Sequence, residues 1–486
     1  MMAGSITIVG LGPGDGSLLT RRAWSALSTA ETVYLRTARH PAVSALPAGI
    51  SQVSFDPFYE SAADFEQVYA RIVAEIINQA RQGAQVVYAV PGDPSVGEST
   101  VSGIKREAAA DAIPLTIIPG VSFIEPVLGA VGVDGLAGLQ LFDALELVAF
   151  HHPPLNPDVP VLVGQVYSRL LAGDLKLTLT ATYPEAHPVL LVHQAGTPAE
   201  QVEEMPLYAL DRSRDINHLT TLYIPPLPVS GDLHALAEVI AVLRSPEGCP
   251  WDIAQTAQSM RAGFLEEMAE TLDALDADDP EALREELGDL LLHILFQIQL
   301  AREEETFLLA DIIGDIVTKL IRRHPHVWGD WQVQDAGQVK LNWEQLKAQE
   351  EKQLSRHSLL DSVPLALPSL ARAQKIGQRV RKVGFDWPDV AGVVAKVEEE
   401  LAELRAEKEP AGRQREFGDL LFALVNWARW LDIDAEVALR EANRRFTRRF
   451  QTMEQLAAGR GLNLADLDID HLEALWQEVK ARNESW

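Results

Sequence analysis

The chain has 486 residues and 47% hydrophobic content, too long for one ordinary domain and apolar enough to fill two or three cores. Its net charge of −28 argues against nonspecific binding to nucleic acid or to an anionic membrane surface, but not against a nucleotide, because a bound metal reverses the local field. A single cysteine, Cys249, rules out an internal disulfide and points to a reducing compartment; no apolar run reaches membrane-spanning length.

Met1 to Gly10 carries a strand pattern rather than a signal peptide, so a cytoplasmic location is expected. Ser5–Gly10 reads as a buried strand running into the loop Gly10-Leu-Gly12-Pro13-Gly14-Asp15-Gly16, followed by a helical stretch from Leu18 to Ala30. Strand, glycine loop and helix invite a dinucleotide-binding assignment, but that spacing needs glycine where Asp15 stands, and Pro13 removes an N–H. A second strand, Gln85–Val90, ends in Pro91-Gly92-Asp93-Pro94-Ser95-Val96-Gly97-Glu98. A third, Leu115–Ile118, ends in Pro119-Gly120-Val121-Ser122. A tight strand-to-helix turn accounts for any one of these loops. Three in one segment point to a ligand crevice at the carboxyl ends of the strands of an α/β sheet.

These loops resemble the tetrapyrrole (corrin/porphyrin) methylase family, and Gln194-Ala-Gly-Thr-Pro198 is similar to its later G-T-P segment. The resemblance covers roughly residues 5–225. It implies S-adenosylmethionine bound between two α/β subdomains, with Gly12, Pro13, Gly14, Gly92, Asp93, Pro94, Pro119, Gly120, Val121 and Ser122 as cofactor contacts. Arg36-Thr-Ala-Arg-His40-Pro41 and Leu219–Pro225 resemble the branch fused to MazG domains, the YabN type. Two features depart from the porphyrin methylases. Val90-Pro91 stands where a second glycine precedes G-D-P, and Ser95–Glu98 stands where an aromatic residue and an arginine follow. His40 reads equally as a substrate contact or as a structural loop histidine.

Pro225-Pro226-Leu-Pro228 marks a linker. Asp232 offers a helix start, and Leu233 to Leu243 is helix-like with Leu236, Ile240 and Leu243 on one face. From there helices dominate. Glu266-Glu267-Met-Ala-Glu270 is followed by Glu286-Leu-Gly288-Asp289. The arrangement recurs as Glu399-Glu400-Leu-Ala-Glu403 and Glu416-Phe-Gly418-Asp419. Residues three and four apart share a helix face. A helix, a turn around Pro410 and Gly412, and a returning helix bring two acidic faces together. Such carboxylates repel unless a cation sits among them, and an all-oxygen set suits Mg²⁺ or Mn²⁺ rather than zinc. A solvated acidic helix face explains one copy; two copies, each with a costly mid-helix glycine (Gly288, Gly418), point to a metal site, the glycines implying a packing or functional reason.

Cys249-Pro-Trp-Asp252, the first acidic blocks and Lys319-Leu-Ile-Arg-Arg-His-Pro-His-Val-Trp-Gly329 resemble, in family order, the MazG nucleoside triphosphate pyrophosphohydrolases. That implies all-α domains pairing into a homodimer around Mg²⁺, with nucleoside triphosphates as substrates. Gly384-Phe-Asp-Trp-Pro388 mimics the opening loop in a second copy. After the first cluster come Lys319 and Arg323, then Trp343 and Lys347; after the second come Arg445 and Arg449, then Trp476 and Lys480. Cations one helical turn apart suit a triphosphate, and a Trp beside a Lys suits a base and a phosphate. A solvated basic helix and a Trp buried between helices is the alternative for any one pair. Lys396 lies four residues before Glu400, whereas Gly263 lies four before Glu267. The first copy therefore reads as lacking a cation and the C-terminal copy as the better catalyst.

The expected architecture is multidomain: an α/β methylase-like domain of two subdomains (1–228), then two all-α MazG-like domains (229–350 and 365–486). The expected reaction is Mg²⁺-dependent hydrolysis of a nucleoside triphosphate to monophosphate and pyrophosphate. Glu399, Glu400, Glu403, Glu416 and Asp419 are its catalytic set, and Glu267, Glu270, Glu286 and Asp289 the further metal ligands. Attack at the α-phosphorus is implied by the resemblance alone. A methyltransferase with accessory helical domains and a non-catalytic nucleotide-binding regulator are the alternatives.

Overall fold

The computed structural model describes residues 4–62, 64–353 and 358–483. The chain divides into two compact units, Met1–Ile313 and Gly314–Trp486.

In the first unit, β1 (Ser5–Gly10), β2 (Thr32–Leu35), β3 (Ser51–Ser54), β4 (Gln85–Val90) and β5 (Leu115–Ile118) form a parallel sheet in the order β3-β2-β4-β1-β5. Alternate residues of the central strands feed two cores, as the two-residue period of a strand requires. Ile6, Ile8, Val86, Tyr88 and Val90 pack with Ile72 and Ile76 of α2 (Phe65–Arg81) and with Val101 and Ile104 of α3 (Ser99–Ala110). Val9, Val33, Leu35 and Ala89 face Ala23 and Leu27 of α1 (Arg21–Ser28) on the other side. The helix expected from Leu18 begins instead at Arg21, after a short 3₁₀ turn at Gly16–Leu18, because the Thr20 hydroxyl caps it by accepting the Ala23 N–H at 3.1 Å.

After α4 (Ile124–Val131) a second sheet follows: β6 (Gln140–Asp143), β7 (Val161–Gly164), β8 (Pro188–His193), β9 (Gln201–Pro206) and β10 (Thr220–Ile224), in the order β6-β7-β10-β8-β9, with α5 (Arg169–Leu179) packing Leu171, Leu175 and Leu179 into its core. Only β6 and β7 pair in parallel. These are the two α/β subdomains expected, and every described element after them is helical.

Still within the first unit, α6 (Leu233–Leu243) buries Ile240 against Leu295, Phe296 and Ile298 of α8 (Pro280–Glu303). Between them in sequence is α7 (Arg261–Ala277). Asp279 starts α8 by accepting the N–H groups of Glu281 and Ala282, with Pro280 at the first helical position. The next helix, α9 (Leu309–Arg323), begins in the first unit and passes into the second after Ile313; it has an apolar stripe yet buries none of its residues.

The second unit contains α10 (Ala336–Gln353), α11 (Ser369–Arg381), α12 (Val390–Ala406), α13 (Pro410–Trp430), α14 (Ala435–Gly459) and α15 (Ile469–Asn483). The charged helix expected from Asn342 starts at Ala336; its expected end, Leu354, lies outside the described residues. Gly412 is not a turn residue. It is buried in the first turn of α13, after Pro410 at the first helical position. The turn is 407–409, where the Glu407 carboxylate accepts the N–H groups of Lys408 and Glu409 at 2.7 and 2.9 Å. No described helix is long and apolar enough to cross a membrane.

Candidate functional site

Two carboxylate clusters stand out among the described residues. Glu400 and Glu403 project from α12, and Glu416 projects from α13, so that one carboxylate oxygen of each lies within 4.8 Å of the others. Glu267 and Glu270 from α7, with Glu286 from α8, form the same arrangement in the first unit. The cause is local: an E-E-x-x-E face on one helix and an E-x-G-D face on the antiparallel return. Asp289 and Asp419 lie outside the mutually close threes but near enough that Asp289 helps raise the Glu267 carboxyl and Asp419 the Glu416 carboxyl. Desolvation is the first cause of both shifts, and the neighbouring carboxylates push the same way. The Glu286 carboxyl is raised likewise, by desolvation and then by Glu270 and Glu267.

Glu400 is 6% exposed. Its Oε1 accepts from the Lys396 ammonium at 2.8 Å, while its Oε2 is buried with no hydrogen-bond partner. A buried carboxylate oxygen left without a partner is costly, and this one belongs to a carboxylate of the cluster. The donor set, all oxygen and all anionic, suits a hard divalent cation. Glu399 turns aside: it is more than half exposed and pairs with Lys396 at 3.0 Å.

Gly288 and Gly418 are exposed, and a Cβ at either would meet nothing within 4 Å. The packing reason expected for these mid-helix glycines is therefore absent from the described structure of a single chain. Open space beside each carboxylate cluster is what they leave.

The cations and tryptophans behave differently in the two copies. Trp343 carries both Arg323 and Lys347 over its ring, each 5.2 Å from the centroid. Lys319 is exposed on α9. Trp476 packs on Phe446 at 5.0 Å and against the core of Met453, Ala457, Leu475 and Val479. Arg445, on α14, is exposed and pairs loosely with Glu441 at 3.7 Å; Arg449 on the same helix and Lys480 on α15 are half-buried.

In the N-terminal half the three glycine loops meet. Gly12, in the left-handed region at φ 77°, exchanges two backbone hydrogen bonds with Gly92, at 3.2 and 2.8 Å. The Asp93 carboxylate joins the loops: Oδ2 accepts the Gly120 N–H at 3.0 Å, and Oδ1 accepts the Ser95 N–H at 2.8 Å. The Ser122 hydroxyl, buried, donates to Glu125 and accepts the Ile124 N–H. Gly14 passes the later glycine segment so closely that a Cβ would lie 2.2 Å from the Gly196 carbonyl oxygen. At Gly120 an added Cβ would lie 2.3 Å from the Gly92 oxygen and 3.0 Å from the Gly10 carbonyl carbon. Gly120→Ala is therefore expected to lower the stability of this half by about 1–3 kcal/mol, read from denaturant unfolding, because backbone rather than a flexible side chain must give way.

Beside these loops lies a cleft of about 590 Å³. Of the ten loop residues expected to touch a cofactor, Pro13, Gly92 and Asp93 line it. Gly12, Gly14, Gly120 and Ser122 hold the loops together. Pro94 is buried, Val121 is half-buried, and Pro119 is exposed with its carbonyl accepting from Thr20. Gln165, at the end of β7, lines the cleft in the left-handed region, φ 62°, a strained backbone of the kind found at ligand sites. His40 also lines it. It is 6% exposed, its Nδ1 accepts the Ala42 N–H at 3.3 Å, and its Nε2 has no partner. Burial, with His218 nearby, pushes the imidazole down to about 4, so at neutral pH it is uncharged and its free nitrogen carries the hydrogen.

The comparisons follow the same division. The family model for tetrapyrrole (corrin/porphyrin) methylases matches residues 5–211, and that for the MazG nucleotide pyrophosphohydrolase domain matches residues 255–328. Over 493 residues, covering 99% of both chains, the sequence is 40% identical to the uncharacterized protein YabN of Bacillus subtilis (strain 168). The chain belongs to the YabN family of methylase–MazG fusions. Two further relatives cover the helical half alone. The nucleoside triphosphate pyrophosphohydrolase of Escherichia coli (strain K12) is 45% identical over 251 residues, half of this chain and 95% of that one. The nucleoside triphosphate pyrophosphohydrolase/pyrophosphatase MazG of Thermotoga maritima is 43% identical over 250 residues, 51% of this chain and 96% of its own.

Two features of this YabN-family chain escaped the sequence. The first is an ion pair between Arg36 and Glu98 on the cleft wall, 2.5 Å long, with side chains only 14% and 6% exposed. Tyr59 adds its hydroxyl to Arg36, and the Tyr69 ring lies beneath the guanidinium. Burial pushes the Glu98 carboxyl up, and the Arg36 guanidinium, which keeps its proton, opposes that push. Sixty-two residues separate the partners, and no spacing rule reaches that far. The second is His293, seven residues after Glu286, hence on the same helix face; that offset was the available signal.

Proposed function

We propose that the helical half hydrolyses nucleoside triphosphates to monophosphate and pyrophosphate with a divalent cation, Mg²⁺ or Mn²⁺, at the carboxylate clusters. The observation that carries it is the buried, partnerless Oε2 of Glu400 within a cluster of three carboxylates. A triphosphate brings about four more negative charges, which no such cluster tolerates without a cation. When bound, the cation neutralises phosphate charge and makes a water more acidic. The chain's own groups do the rest. Glu400, Glu403 and Glu416 hold it, with Asp419 beside them, and Lys396 fixes Glu400. Glu399, paired with Lys396 at 3.0 Å, would have to leave that pair to orient the attacking water, and Arg445, Arg449 and Lys480 orient the phosphates. Glu267, Glu270, Glu286 and Asp289 repeat the holding set in the first unit. Support for attack at the α-phosphorus comes from the names of the relatives. A screen of canonical and damaged nucleoside triphosphates with Mg²⁺ tests the reading. Monophosphate and pyrophosphate are expected; release of inorganic phosphate alone overturns the site of attack, and no turnover of any substrate favours a nucleotide-binding regulator.

The bare apolar stripe of α9, with Ile312, Ile316, Leu320 and Ile321 exposed, supports a homodimer through the helical half. Sedimentation as a monomer at micromolar concentration would remove that proposal.

A second reading concerns the cleft, which we infer holds S-adenosylmethionine. Its lining has two cations against four carboxylates, Arg36, Arg39, Asp56, Glu60, Asp93 and Glu98, or 2 − 4 = −2 with histidines neutral. Both cations are paired, Arg36 to Glu98 and Arg39 to Glu60. A sulfonium cation suits that field, whereas a porphyrin precursor carrying several carboxylates does not. Calorimetry with the full chain is expected to show adenosylmethionine binding and no saturable binding of uroporphyrin III. Tight uroporphyrin binding would restore a tetrapyrrole acceptor, and failure to bind adenosylmethionine would remove the cofactor.

A further inference from the structure

The two carboxylate clusters differ in one way that is a matched exchange. In the second copy, Lys396 stands on the first helix of the pair, four residues before Glu400, and holds it at 2.8 Å. On the facing helix, seven residues after Glu416, is the small residue Ala423, buried. In the first copy the small residue is on the first helix instead: Gly263, four residues before Glu267. The long nitrogen-bearing residue is on the facing helix, His293, seven after Glu286.

The space confirms that the two positions share one site. A Cβ on Gly263 would lie 2.9 Å from His293 Cε1 and 3.2 Å from its Nε2, so any larger residue there collides with the imidazole. His293 is 9% exposed, and the edge-on ring of Phe264 helps fix it. Its Nε2 faces Glu267 Oε1 at 3.9 Å, while its Nδ1 is buried without a partner. A bare Nδ1 is least costly as an acceptor, which puts the ring hydrogen on Nε2, toward the carboxylate.

We propose that His293 is the positioning residue of the first carboxylate cluster, supplying from α8 the N–H group that Lys396 supplies to the second from α12. The first copy lacks the lysine, and its nitrogen partner arrives from the other helix. The 3.9 Å separation is one short side-chain movement from a hydrogen bond, and that movement draws Glu267 into a fixed position with its second oxygen turned to Glu270 and Glu286. This rests on reading the clusters as cation sites.

The test uses the full chain with Glu403→Gln throughout, so that Mn²⁺ uptake, followed by electron paramagnetic resonance, reports the first cluster. His293→Ala is expected to weaken Mn²⁺ binding about 10-fold, the usual scale for a group that orients a ligand. His293→Gln, which keeps a nitrogen donor, is expected to retain it. Gly263→Lys alone should lower the melting temperature through the collision, and Gly263→Lys with His293→Ala, which rebuilds the second copy's arrangement in the first, should restore both melting temperature and Mn²⁺ affinity. Unchanged Mn²⁺ affinity in His293→Ala, beside normal uptake by its Glu403→Gln parent, overturns the inference alone. So does failure of the exchanged pair to recover affinity. A parent chain that takes up no Mn²⁺, with the wild type equally inert, overturns the cation reading and the inference with it.

Discussion

Glu267→Gln combined with Glu400→Gln is expected to lower Mg²⁺-dependent pyrophosphate release by about 10³-fold, the scale of several kcal/mol of lost charge stabilisation. Glutamine keeps the volume and, at position 400, an oxygen that still accepts from Lys396, so folding is preserved. What disappears is one anionic oxygen from each cluster. Either single variant is expected to leave the other copy working, so that the residual rate of each ranks the two copies directly. Stability supplies a second readout with a definite sign. The Glu267 carboxyl is raised by desolvation and by Asp289 and Glu270. A carboxyl whose folded pKa is raised contributes stability below its unfolded value that is lost as pH rises through the folded one. The cation-free wild type is therefore expected to carry unrelieved repulsion at pH 7, and Mg²⁺ is expected to raise its melting temperature. The double variant is expected to melt higher than wild type without Mg²⁺ and to gain much less from adding it. A double variant with the full rate, or with the full Mg²⁺ stabilisation, would show that the clusters are solvated acidic faces.

Arg36→Met is expected to cost about 3–5 kcal/mol in the N-terminal half, the usual penalty for leaving one member of a buried ion pair alone. For a domain of this size that is a fall in melting temperature of about 6–20 °C. Among the described residues, Glu98 would keep the Thr100 hydroxyl, at 3.5 Å, as its one donor. Its carboxyl, already pushed up by burial from the ordinary 4.5, would lose the guanidinium that holds it down. The deficit should therefore be larger at pH 7.5 than at pH 5, because lowering the pH protonates Glu98 first in the folded variant, where its carboxyl is raised furthest above the ordinary 4.5. Arg36→Met with Glu98→Gln removes the uncompensated charge and should recover most of the loss. Thermal unfolding of the three proteins at pH 5 and pH 7.5 decides it. A pH-independent loss, or no recovery in the double variant, would mean that Arg36 acts through packing on Tyr59 and Tyr69 instead.

The local pattern of the chain foretold much of this. β1, β4 and β5 begin and end where the sequence pattern places them, because glycine and proline loops bound short apolar-rich runs; the central β1 and β4 bury most of theirs, while the edge strand β5 leaves Thr116 exposed. The helix from Leu233 to Leu243 was legible from its cap and its spacing. The acidic helix faces were legible because a helix brings residues three and four apart onto one side whatever surrounds it. Gly412 was misplaced because glycine marks turns on average, whereas here Pro410 starts the helix and the folded-back Glu407 side chain needs the room.

Sequence by itself thus determined the α/β and all-α halves, the loops that meet at the cleft and the two acidic repeats, since all follow from short-range periodicity and turn chemistry. Tertiary structure alone decided that Arg36 meets Glu98, that Asp93 spends its carboxylate on the neighbouring loops, and that His293 fills the space over Gly263. Each of those is a contact between elements far apart in the chain, set by how sheets and helices pack, and packing distance leaves no fixed spacing in a sequence.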